Sequence, residues 1–63
     1  MKELEGKLFQ FKDTTYKGFL YFINEEAEKV YFIWNSPNWD QEAQLAAVKS
    51  YLTSGYLYEI QSL

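Results

Sequence analysis

The chain has 63 residues, nine Asp and Glu against six Lys, and a net charge of −3. It contains no arginine, histidine or cysteine. One small domain over 1–63 is all this length allows, and the missing residue types exclude disulfides, Ser-His and Cys-His catalysis, and thiolate or imidazole metal sites.

Lys7-Leu8-Phe9-Gln10-Phe11-Lys12 reads as a first strand, with Phe9 and Phe11 on one face and Gln10 and Lys12 on the other. Asp13-Thr14-Thr15 is a turn cluster. Tyr16 to Asn24 reads as a second strand, in which Gly18 marks a bulge or a close backbone approach. Glu25-Glu26-Ala27-Glu28 leads into a third strand, Lys29 to Trp34. Phe19–Ile23 and Val30–Trp34 are apolar on both faces, and such strands need cover on both sides. A regular hairpin opposes Ile23 to Val30 and Tyr21 to Phe32. It sorts Phe19, Tyr21, Ile23, Val30, Phe32 and Trp34 onto one face, and Leu20, Phe22, Tyr31 and Ile33 onto the other. A two-residue turn at Thr14-Thr15 adds Phe9 and Phe11 to the second set. A bulge near Gly18 reverses that assignment, because a one-residue slip flips every side chain.

Asn35-Ser36-Pro37-Asn38 ends the strand and starts a helix. Ser36 can cap it with Pro37 at the first helical position, or Asn38 can cap it with Gln41 three residues on. The helix is expected to reach about Thr53 and to stop at Gly55. Its apolar stripe is Leu45, Val48 and Leu52, with Tyr51 beside it. Tyr56 to Gln61 reads as a last strand. The order β-β-β-α-β predicts an α+β domain, an antiparallel sheet of about four strands with one helix packed on one face. The alternative is a strongly bent small β-barrel with a helix before the last strand.

A chain this short buries only about 60% of its unfolded surface. Large aromatics help, since each covers roughly 150–250 Å². Phe9, Phe11, Leu20, Phe22 and Ile33 are the expected core under the helix. Phe19, Tyr21, Phe32 and Trp34 are then left without cover, and Trp34 and Trp39 flank the strand-to-helix junction. Trp and Tyr are enriched at interface hot spots. Phe19, Tyr21, Phe32, Trp34 and Trp39 are therefore the candidate partner-binding residues. A homodimer stacking two such faces is the simplest way to bury them.

No catalytic constellation presents itself, and no enzyme activity, cofactor or metal is expected. Glu25, Glu26 and Glu28 cluster in a hairpin loop where water screens them, and no calcium-loop spacing occurs. The acidic balance without arginine argues against sequence-specific nucleic-acid binding. No run of about 18 apolar residues is present to span a membrane, and residues 1–6 lack the apolar stretch of a signal peptide. The expected location is the cytoplasm.

Gly6 before the first strand, Lys12-Asp13 at the turn, Tyr16-Lys17-Gly18-Phe19-Leu20, and a return strand after an acidic loop together resemble the opening strands of an Sm-like small barrel, over residues 6–34. In that family the tyrosine-x-glycine-hydrophobic step bends the second strand, and members bind RNA or form rings. The resemblance implies those possibilities here. A helix at 38–54 departs from the family, whose helix precedes the first strand, and the family's RNA-binding motif has no match. In overall style the chain is also similar to small acidic phage-encoded inhibitors that bind host enzymes. The expected function is a small acidic protein-binding module, an inhibitor or adaptor acting through an exposed aromatic sheet face. Its partner is another protein, or itself as a homodimer. The alternatives are an Sm-like barrel binding single-stranded nucleic acid and a purely structural homo-oligomer.

Overall fold

The computed structural model describes residues 2–37 and 40–60. A 3-10 turn at Lys2–Leu4 precedes β1 (Lys7–Phe11), β2 (Lys17–Asn24), β3 (Lys29–Trp34), β4 (Glu42–Gln44), α1 (Leu45–Ser54) and β5 (Leu57–Ile60). The strands form one antiparallel sheet in the order β4-β3-β2-β1-β5, curled into a half-barrel. The helix packs on its concave side against β5, β4 and β3. This is the α+β domain read from the sequence, with one more strand.

The β1–β2 turn is closed by the Phe11 N–H donating to the Tyr16 carbonyl at 3.2 Å, a pair that encloses residues 12–15. Its parity equals that of a two-residue turn. Phe9 and Phe11 therefore share a face with Leu20, as expected, through the register Phe9↔Gly18 and Lys7↔Leu20.

The β2–β3 hairpin departs from regular pairing. Ile23 opposes Val30, but Phe32 pairs with Leu20 and Tyr31 with Phe22, so Tyr21 is the extra residue of a bulge. Before it, Gly18 and Leu20 point inward; after it, Ile23 does. One added residue thus exchanges the two predicted sets over part of the sheet. Phe22 and Ile33 are 42% and 54% exposed and are not core, whereas Phe32 is 1% exposed and is. The bulge sits beyond Gly18, which marks a close approach instead. A Cβ built on Gly18 would lie 2.5 Å from the Trp34 ring, so only glycine admits the indole there.

The expected helix start is also displaced. Residues 42–44 pair with β3 through Val30↔Ala43 and Lys29↔Gln44. Backbone bonds from the Phe32 N–H to the Gln41 carbonyl (2.7 Å) and from the Leu45 N–H to the Glu28 carbonyl (2.9 Å) flank this pairing. Three residues of helical sequence become an edge strand because β3 offers them ladder partners. Ser36 lies well before the helix and caps nothing, and Asn38 lies outside the described residues. The C-terminal end follows expectation: Gly55 is left-handed at φ 81°, and its N–H donates to the Leu52 carbonyl.

Phe9, Phe11, Leu20, Ile23, Val30, Phe32, Leu45, Val48 and Leu57 form the core, none more than 7% exposed. Leu4, Trp34, Ala43 and Leu52 pack around it. Leu45, Val48 and Leu52 are the helix stripe predicted from spacing.

Candidate functional site

The convex outer face of the sheet, turned away from α1, carries an apolar surface. Register pairing places Ile60, Leu8, Phe19 and Ile33 in one row across β5, β1, β2 and β3. Beside it runs Tyr58-Gln10-Lys17. Phe19, Ile33 and Tyr58 are exposed.

The bulge builds the second part of this surface. It turns both Tyr21 and Phe22 toward Tyr31. Phe22 and Tyr31 stack with centroids 5.8 Å apart and planes 22° from parallel, and Tyr21 lies 6.2 Å from Tyr31. The Tyr31 hydroxyl donates to Glu42 at 3.1 Å, and this bond to a carboxylate raises the Tyr31 pKa above the ordinary phenol value. Lys29 lies 3.7 Å from the same carboxylate.

Two side chains near the N-terminus hold the bulge from its flank. β2 outruns β1, leaving the Ile23 backbone paired with β3 on one side and without a strand on the β1 side. The Glu5 carboxylate accepts from the Ile23 N–H at 2.7 Å, and the Lys2 ammonium donates to the Ile23 carbonyl at 2.6 Å. That backbone bond, with the Lys2 contact, draws the Glu5 pKa below the ordinary carboxylate value. Lys2 Nζ also stands 4.8 Å from the Phe22 ring centroid, a cation–π contact. The 3-10 turn and its neighbour therefore act as a short surrogate strand, fastening the residue next to the aromatic trio.

Of the residues singled out from sequence, Phe19 and Tyr21 lie on this surface, at 39% and 43% exposure. Phe32 does not: it is buried and meets Phe9 edge-on at 6.4 Å. Trp34 is partly buried on the inner side, stacked on Phe32 at 4.7 Å and on Phe11 at 5.3 Å. Its indole N–H donates to the Asp40 carbonyl at 3.0 Å. Trp39 lies outside the described residues. Sequence reasoning missed Phe22, Tyr31, Ile33, Leu8 and Ile60. The single cue to the first three was the possibility of a slip in β2, with no signal for its position.

A second feature is an open depression of about 660 Å³ at the β1–β2 turn, lined by Asp13, Thr14, Thr15, Tyr16 and Tyr58. Its one carboxylate has no acid–base partner among the lining residues. No group of three His, Cys, Asp or Glu able to hold a metal ion occurs among the described residues. No helix there is long and apolar enough to cross a membrane. Compared with protein-family models, curated proteins and solved structures, the chain has no significant match.

Proposed function

We propose that this chain is a protein-binding module, an inhibitor or adaptor, whose contact surface is the convex outer face of the sheet. The observation that carries this reading is the unbroken apolar row Ile60-Leu8-Phe19-Ile33 beside the Tyr21-Phe22-Tyr31 cluster, while the helix covers only the opposite face. Exposed apolar patches of a few hundred Å² mark interaction sites. A protein surface suits this face better than a nucleic acid does. The rings stack on one another rather than standing free for bases, and Lys2 and Lys29 are already paired with Glu5 and Glu42.

The test replaces Phe19 and Ile33 together by Ser. The variant keeps the wild-type melting temperature within a few degrees and loses a stoichiometric partner that the wild type retains from its native host. Retention of the same partner by the folded variant would sink this reading, as would the absence of any partner for the wild type.

A further inference from the structure

We infer that the outer face takes a second copy of this chain, stacked with its strands antiparallel to the first, so that the β1–β2 turn of each copy lies over the β2–β3 hairpin tip of the other. This deepens the outer-face reading and rests on it.

The inference comes from how charge is arranged along the ridge. β2 has eight residues and spans roughly 26 Å at the usual rise per residue. At one end stand Lys12 and Lys17, both exposed and without an ion pair among the described residues, with Asp13 between them. At the other end the hairpin loop exposes Glu25, Glu26 and Glu28. The charges between the ends cancel in pairs, Lys29 with Glu42 and Lys2 with Glu5. With Glu26 and Glu28 at the tip, the ridge is therefore a net-positive end, an apolar middle and an acidic end. The ends are separated by more than the screening length of about 8–10 Å, so each acts on whatever lies directly over it.

A two-fold axis in the interface plane allows two ways of stacking. With the axis along the strands, Glu26 and Glu28 of each copy meet the same carboxylates of the other. With the axis across the strands, each acidic tip meets Lys12 and Lys17 of the other copy, and at the centre Phe19 and Ile33 meet Phe22 and Tyr31 of the other copy. Only the second satisfies the self-complementarity that an isologous contact requires. The sheet is curled, so two convex faces touch along a stripe on β2 and β3. A stripe two strands wide, roughly 26 Å by 10 Å, covers on the order of 260 Å² of each copy, which is the range of a weak, transient contact. The dimer is accordingly weak and forms at high micromolar concentration.

Sedimentation equilibrium on the full chain tests this, with Lys17→Glu and Glu26→Lys as the variants and circular dichroism to check that each is folded. The wild-type mass is expected to rise with concentration from 7.5 kDa toward twice that value. Each charge variant alone weakens association at least tenfold, because it sets like charges together at both ends. An equimolar mixture of the two regains wild-type association. In the mixed pair, the carboxylate brought in by Lys17→Glu meets the ammonium brought in by Glu26→Lys, while the native pair persists at the opposite end. A wild type that stays at 7.5 kDa to millimolar concentration overturns the second copy. So does association that neither variant weakens, or a mixture that fails to recover. In each of those cases the outer-face reading survives if the Phe19→Ser/Ile33→Ser variant still loses a partner of a different sequence.

Discussion

The two faces of this sheet are almost equally apolar in sequence and have opposite fates. On the concave face, Phe9, Phe11, Leu20, Ile23, Val30 and Phe32 are at most 6% exposed, closed over by Leu45 and Val48 of the helix. On the convex face, Phe19, Tyr21, Phe22, Ile33 and Tyr58 keep 39–54% of their surface in water. A hydrophobic side chain is thus no guide to its own burial in a chain with one helix. Cover is limited to one face, and whichever face receives it leaves the other available to a partner.

Moving the bulge that sorts the two faces tests this contrast most severely. With Tyr21 deleted, Gly18, Leu20 and Ile23 alternate regularly with Phe19, Phe22 and Asn24, so the deletion variant should keep a cooperative thermal transition. With Tyr31 deleted, either Val30 or Phe32 must leave the core, and the transition should vanish from calorimetry. Next in size, Phe32→Ala should cost about 3–5 kcal/mol in a urea titration, comparable to the whole stability of a domain this small, about 5 kcal/mol. Gly18→Ala forces a methyl into the Trp34 ring and should cost about 1–3 kcal/mol by the same measurement. On the convex face, Phe19→Ser and Ile33→Ser should each change stability by no more than about 0.5 kcal/mol, which is the contrast with Phe32 stated as an experiment.

The smallest effect concerns the contact that flanks the bulge. The folded Glu5 carboxyl lies below its ordinary value, so folding favours its ionised form. Its contribution is complete above the unfolded pKa and is lost as pH falls through the lower folded one. Wild-type stability should therefore decline between about pH 5 and pH 3 more steeply than that of Glu5→Gln, measured by melting temperature across that range. Equal slopes would show that the Ile23 backbone does not depend on this carboxylate.

The short-range features were legible from residue order. The first three strands follow from runs of β-branched and aromatic residues between turn clusters. The helix stripe Leu45-Val48-Leu52 and its end at Gly55 follow from the helical period and from the one residue that takes φ 81° without strain. The facing of Phe9 and Phe11 with Leu20 follows from loop parity. Phe19 and Tyr21 were correctly left uncovered, but in company with Phe32 and Trp34, which belong inside.

The side of the sheet on which each aromatic falls was settled only in three dimensions. Alternation carries no information where both parities are apolar, as in Phe19–Ile23 and Val30–Trp34. The choice then rests on a single extra residue at Tyr21, held by pairing on one flank and by Glu5 and Lys2 on the other. It rests as well on the edge of β3, which takes residues 42–44 from the helix. Both are long-range hydrogen-bond arrangements, formed largely by backbone groups that every residue carries, and residue order alone does not distinguish them. That this chain has more apolar strand surface than one helix can cover was written in its residues; which of them are left over was decided by the bulge.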